Sequence, residues 1–416
     1  VVAEATGGTV TASFSVAVVL SVITGQGLSA VWSVFNALQI LYYLPLMDVS
    51  LPENYVQVLG YLEITEFSFL PDTPKILRVG GNTNNDGKRL PARFADFGYD
   101  TEQFVVNGWE YLSMFFVFGT ILASACLIHK IAPKLKFIGN LVQDMKWSTF
   151  IRLIIESYID TMVAIFMQLK FGNYQDQHHY YSITLSVILL VQFTLLIGVI
   201  VWMSFSKRDK ISEKGTFFKV WGSLFEEFVT SSVLSLEFYA LFLLRRLGFS
   251  ALIVFLPEHG LLQAIFAASL SLIILSYMII IKPYLVRGDG IVNTFTEAAV
   301  TVTFCFFPFF KVYESSLSPP STARDVLGYV LIVLVVGIVI LNFAYIFANF
   351  GKKAWNRYTQ KKKISTSSRK AQKPGKSSPM PSILTTPSLE PILFSSSQDE
   401  LPGLVKPKTP KTPMIQ

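Results

Sequence analysis

The chain has 416 residues, 51% of them hydrophobic and only 15% charged, against about 25% charged in an ordinary soluble domain. Its formal charge of +7 is unevenly placed: from Gly351 onward 13 Lys/Arg stand against 3 Asp/Glu, a net +10, leaving 22 against 25, or −3, for the rest. The high pI thus belongs to the tail, the aromatic-interleaved basic patch of a nucleic-acid-binding protein is missing, and two cysteines, Cys126 and Cys305, each inside an apolar run as small core residues, exclude a disulfide-rich scaffold.

The chain starts Val1-Val2-Ala3, with neither Met nor a basic n-region. The expectation is that no signal peptide is present here and that the chain is the membrane portion of a longer protein. The first apolar stretch, Val10 to Met47, is too long for one helix and is broken at Gly25-Gln26-Gly27. It predicts a hairpin of two crossings, Val10–Thr24 and Leu28–Leu46, with Pro45 ending the second. The alternative is one crossing followed by an interfacial helix. Residues 48–107 are polar and punctuated by Pro52, Pro71, Pro74 and Pro91, and the Gly80–Gly87 run is a loop by its Gly and Asn chemistry.

Runs of crossing length, about 20 residues, then recur: Trp109–Leu127, Phe150–Leu169, Tyr181–Phe205, Phe228–Leu244, Leu261–Ile281, Ile291–Phe310 and Val326–Phe347. Trp109, Tyr111, Trp147, Tyr180 and Tyr181 sit near their ends, as an interfacial aromatic belt requires. Basic residues gather in alternate gaps: Lys130 to Lys146, Lys207 to Lys219, and Lys282 with Arg287. The positive-inside rule puts these gaps and the tail in the cytoplasm. Arg245 and Arg246 conflict with that scheme by facing outward, unless they interrupt a longer helix that runs on to Leu256.

The expected fold is therefore all-α, a polytopic membrane bundle of nine crossings (eight on the interfacial alternative). Its N-terminus lies outside and its C-terminus in the cytoplasm. Its parts are a membrane hairpin over 1–47, an extracellular loop segment over 48–107, a seven-helix bundle over 108–350 and a basic disordered tail over 351–416. The tail is rich in Ser, Thr, Pro and Lys and lacks the apolar density to offset ordering entropy. Lys352, Lys353, Arg357, Lys361, Lys362 and Lys363 directly follow the last helix. Such a cluster attracts anionic phospholipids by roughly 1 kcal/mol per basic residue, or serves as a plain stop-transfer flank. Ser378-Pro379, Thr386-Pro387, Thr409-Pro410 and Thr412-Pro413 have the form of proline-directed phosphorylation sites, where phosphate would weaken lipid attraction.

No Walker A loop, G-x-S-x-G or HExxH motif occurs, so neither an enzyme nor a cofactor is expected. The informative residues are acids inside apolar runs, which are costly in a bilayer and mark function by default. Arg152, Glu156 and Asp160 fall at i, i+4 and i+8, on one helix face. Arg152 is expected to pair with Glu156, while Asp160 needs another partner. Glu237 and Glu297 lie within two later runs, and Gln168, Gln192 and Asn342 add neutral ligands. These oxygens form a site or path for hard cations, or an inter-helix network that only fixes packing. Pro308 should kink its helix.

Three segments carry a resemblance. The first is Trp32–Leu41 running into Leu44-Pro45-Leu46 and Leu51-Pro52-Glu53-Asn54; the second is Phe67-Ser68-Phe69-Leu70-Pro71. The third is Lys282-Pro283-Tyr284 followed by Asn293 and Thr296-Glu297. Together they resemble the C-terminal multi-pass domain of large ciliate surface proteins with upstream Cys-rich repeats. Less closely, they resemble the fungal transient-receptor-potential-like (polycystin-like, flavin-carrier) membrane domain. The family's usual Asn-Glu pair reads Thr296-Glu297 here. The resemblance implies a helical membrane domain behind an extracellular ectodomain, with calcium entry or mechanosensing among relatives. The function expected is a channel-like, cation-permeable protein of the plasma membrane, lipid-modulated at its tail, with oligomers allowed. The alternatives are a receptor or anchor carrying an ectodomain, and a small-solute transporter.

Overall fold

The computed structural model describes residues 28–62, 90–99, 101–133, 135, 138, 139, 142, 150–172, 177–213, 215–316 and 321–371. The expected crossing Val10–Thr24, the Gly80–Gly87 loop, the Phe67–Pro71 segment and the Ser/Thr-Pro sites lie outside them. The described residues are helical without a β-strand; a single antiparallel bridge joins Phe228 to Tyr284. Two compact units divide the chain, 1–356 and 357–416.

The first unit begins with α1 (Leu28–Tyr42), which a short 3-10 turn, Leu44–Leu46, closes at Pro45. Segment 48–107 contributes α2 (Glu53–Gly60), α3 (Ala92–Asp96) and α4 (Phe104–Asn107). Its Tyr55, Leu59, Phe94 and Phe104 are fully buried, so its described part packs into the body of the protein. Then follow α5 (Trp109–Ile131), α6 (Phe150–Glu156), α7 (Tyr158–Phe171) and α8 (Gln177–Ser206). The short α9 (Arg208–Ser212), α10 (Thr216–Trp221) and α11 (Val233–Leu236) lead to α12 (Phe238–Phe255), α13 (Gly260–Ile281), α14 (Arg287–Ser316) and α15 (Ser321–Ala371). Among the described residues, six helices are long and apolar enough to cross a membrane: α5, α8, α12, α13, α14 and the apolar part of α15.

The expected helix Phe150–Leu169 is instead two, broken at Ser157. Its hydroxyl donates to the carbonyls of Leu153 (2.7 Å) and Ile154 (3.4 Å), the back-bonding that bends helices. Phe228–Leu244 is displaced as well. Phe225–Thr230 turns back on the Lys282–Leu285 segment, with Val229 N–H donating to Pro283 O (2.9 Å) and Leu285 N–H to Glu227 O (2.8 Å). Ser232 then caps α11, its hydroxyl accepting from Ser235 N–H. The long helix thus starts only at Phe238 and continues to Phe255, so Arg245 and Arg246 fall at its middle and are buried rather than outward. The Lys-Pro-Tyr turn ends α13 with Lys282 in the left-handed region (φ 50°), and Pro283 blocks continuation.

α14 is continuous through Pro308. The last helix outruns its apolar part: residues 351–371, within the tail expected to be disordered, are helical. Cys305 is half-buried, but Cys126 lies on an exposed face of α5, against the core role expected for both.

At one end of the bundle the 48–54 segment is clamped by charge. Asp48 pairs with Arg93 (3.0 Å) and Lys311 (3.2 Å) and accepts from Gly260 N–H (3.1 Å), while Asp48 N–H donates to Gln263 Oε1 (2.7 Å). A Cβ on Gly260 would sit 1.7 Å from the Asp48 carbonyl oxygen. Gly260→Ala should therefore cost about 1–3 kcal/mol by overpacking. Gly119, on the exposed face of α5 with no atom within 4 Å, should tolerate Ala and gain helix propensity. Thermal unfolding in detergent separates the two; equal melting of both variants would refute the close approach.

Candidate functional site

Arg246 is the organising side chain. It stands at the ninth position of α12 and is fully buried. Asn36 and Gln39 on α1 and Tyr43 just past its end fall at i, i+3 and i+7, and the Tyr43 N–H still donates to Gln39 O, which keeps the three on one face. Arg246 Nη2 donates to Asn36 Oδ1 (2.6 Å), Asn36 O (3.2 Å) and Gln39 Oε1 (2.9 Å), and Nη1 donates to Ile155 O (3.0 Å). Its guanidinium also lies 4.5 Å from the ring centre of Phe242, one turn earlier.

Glu156 and Asp160 lie beside this cation. Asn36 Nδ2 donates to Glu156 Oε1 (3.1 Å), and the Tyr43 hydroxyl donates to Asp160. Glu156 is 3% exposed, and its Oε2 has no hydrogen-bond partner among the described residues. The expected Arg152–Glu156 pair is not made: Arg152 pairs with Glu226, with Glu227 at 3.8 Å. The turn of chain that meets Tyr284 presents both acids to Arg152, and no motif signals it.

Arg245, one position earlier on α12, points to α14 because neighbours on a helix are about 100° apart. There it forms a buried ion pair with Glu297. Beside that pair Asn342 Nδ2 on α15 donates to Thr296 Oγ1 (2.8 Å). A cavity of about 60 Å³ opens here, lined among others by Asn36, Glu227, Arg245, Tyr284, Asn293 and Glu297. It is several times the about 10–15 Å³ one water needs. Of the positions quoted for the resemblance, Tyr284, Asn293, Thr296 and Glu297 thus line one cavity.

The four expected acids are therefore not gathered at one point. Glu156 and Asp160 flank Arg246, and Glu297 faces Arg245. Glu237 stands apart at the junction of α11 and α12, half-buried, where its charge suits the positive N-terminal end of α12. Of the neutral ligands, Asn342 joins the cavity's surroundings and Gln192 is exposed. Gln168 ties α4 to α8, accepting from Phe104 N–H (2.9 Å) and Ser182 Oγ (2.5 Å). Among the described residues, no three His, Cys, Asp or Glu side chains are grouped to hold a metal ion. Of the lipid candidates, Lys352 is exposed; the side chains of Lys353, Arg357, Lys361, Lys362 and Lys363 lie outside the described ones, although their backbone is helical.

Among the described residues of the Arg245–Arg246 cluster three acids, Glu156, Asp160 and Glu297, face two guanidiniums, and Arg152 meets both Glu226 and Glu227. Sequence reasoning missed Asn36, Gln39, Tyr43 and Arg245–Arg246 as partners. The signal was present: buried carboxylates need cations nearby, and the adjacent arginines were the only pair inside an apolar run. No family model, curated protein or solved structure matches the chain.

Removing one member of a buried ion pair costs about 3–5 kcal/mol, while apolar replacement of both can be neutral. Arg245→Met should therefore lower the melting temperature sharply, and Arg245→Met with Glu297→Leu should restore most of it. A double variant no more stable than the single would break the assignment.

Proposed function

We propose that this chain, a multi-pass membrane protein by its six membrane-length helices, is channel-like and cation-permeable. Calcium is the suspected ion and the plasma membrane the site. The observation that carries the reading is the unbalanced buried acid: Glu156 keeps one oxygen without a hydrogen bond, and its partner Asn36 lines the cavity that Glu297 also lines. A buried, uncompensated carboxylate is stable only if a cation or proton joins it. The topology proposed has nine crossings with the N-terminus outside: the six long helices, α1, the α6–α7 pair and, from sequence alone, Val10–Thr24. The basic run Lys352 to Lys363 meets anionic lipid on the cytoplasmic side, and the resemblance to ciliate surface proteins supplies an ectodomain upstream.

A second reading, a receptor or anchor, is favoured by a different observation. Glu297 and Asp160 are already engaged by Arg245 and Tyr43, as a packing lock would have them.

Flux into indicator-loaded liposomes separates the two. A channel admits calcium or potassium, and Glu156→Gln lowers the rate by about tenfold, the size of one lost contact to a charged group. Replacing Lys361, Lys362 and Lys363 by Gln should remove any dependence on anionic lipid. Folded protein that passes no cation leaves the anchor.

A further inference from the structure

A second cavity has no part in the reading above. It measures about 930 Å³, at the upper end of the about 300–1,000 Å³ of ligand pockets. It lies where α14 ends and α15 begins, against the 48–54 segment. Its walls change character along the bundle axis. Phe306, Phe309 and Phe310 lie one to two turns inside the membrane-length stretch of α14, and Leu327 lies in the first turns of α15. Ser50, Glu53, Glu314, Arg324 and Asp325 form the other wall, at the helix ends. An apolar floor under a charged rim at the end of two crossing helices has the profile of a bilayer leaflet, acyl region below and headgroups above. Phe309 is 71% exposed at the mouth, so the cavity is open towards the lipid side.

The rim selects the headgroup. Glu314 is engaged by Lys311 (3.3 Å) and by Ser50. Glu53 and Asp325 are exposed acids beside one cation, Arg324. Arg324 donates Nη2 to Leu51 O (2.8 Å), and a guanidinium has five N–H donors, which leaves donors for a phosphate. One fork for a phosphate next to two carboxylates for an ammonium matches a zwitterionic headgroup and repels one that is only negative.

We propose that this cavity holds one glycerophospholipid with a cationic amine headgroup, of the phosphatidylcholine or phosphatidylethanolamine type. Its acyl chain lies against Phe306, Phe310 and Leu327, its phosphate on Arg324 and its amine between Glu53 and Asp325. This site is opposite in charge preference to the basic run after the last helix, and does not rest on ion conduction.

The test uses the full chain purified in mild detergent and supplied with equal phosphatidylcholine, phosphatidylethanolamine and phosphatidylglycerol, with retained lipid read by native mass spectrometry. The expected result is one zwitterionic lipid retained per chain, preferred over phosphatidylglycerol by about tenfold. Leu327→Trp fills the floor and should abolish retention. Glu53→Lys with Asp325→Lys changes only exposed side chains, so the fold should survive, and the preference should invert to phosphatidylglycerol. Equal retention of all three lipids by the parent, or an unchanged preference in the charge-reversed protein, overturns the proposal whether or not Leu327→Trp folds.

Discussion

The rest of the bundle depends on the burial of Arg246. A guanidinium cannot be deprotonated at any pH the protein meets, so its charge has to be answered inside the protein. That one requirement draws α1, the α6–α7 junction and α12 together, because no single helix supplies enough acceptors. Asn36 and Gln39 give side-chain oxygens, and Ile155 gives a carbonyl. Ser157 ends α6 two residues later by turning its hydroxyl onto its own helix. The break that makes two short helices out of one apolar run and the cation it helps to seat therefore belong to one arrangement.

The two ends of the bundle are fixed by different means. At the Asp48 end the lock is ionic and geometric: one carboxylate meets Arg93, Lys311 and the Gly260 backbone. At the other end it is backbone pairing, Glu227 and Val229 against Leu285 and Pro283. This second lock brings Glu226 and Glu227 to Arg152 and Tyr284 to the cavity. Ionic contacts at a helix end are partly solvated and modest in value. The ion pair between α12 and α14 is buried, so there the loss of either member is severe.

Much of the fold is legible in the sequence because crossing length and apolarity are local properties. The runs beginning at Trp109, Tyr181, Leu261, Ile291 and Val326 all appear as long helices. What is not legible depends on pairing across the fold. Nothing local to Phe228 announces that its backbone will bridge Tyr284, and this displaces the following helix and buries two arginines that otherwise seem to face outward. The acids were recognisable as costly, but their partners were not: helical spacing nominated Arg152 for Glu156, whereas tertiary packing gave Arg152 to Glu226. Spacing on one helix states which side chains could meet; it does not state which offers from other helices are better.

The imbalance of charge, more than its burial, bears on function. A cluster that served packing alone would be as stable or more so with apolar side chains in place of matched pairs. A packing lock also gains nothing from carrying more acids than bases, since each surplus carboxylate adds desolvation cost without a partner. Here the surplus sits on Glu156, one residue from a helix break and one hydrogen bond, through Asn36, from a cavity large enough for water. Helix breaks inside membrane bundles are tolerated where they are buried in protein or line a wet cavity. Acid, break and cavity coincide at the place the proposed ion path would use, while a proton on Glu156 would close the count in a packing lock. The α1–α6–α12 junction is therefore where conduction and anchoring make opposite demands of the same side chains.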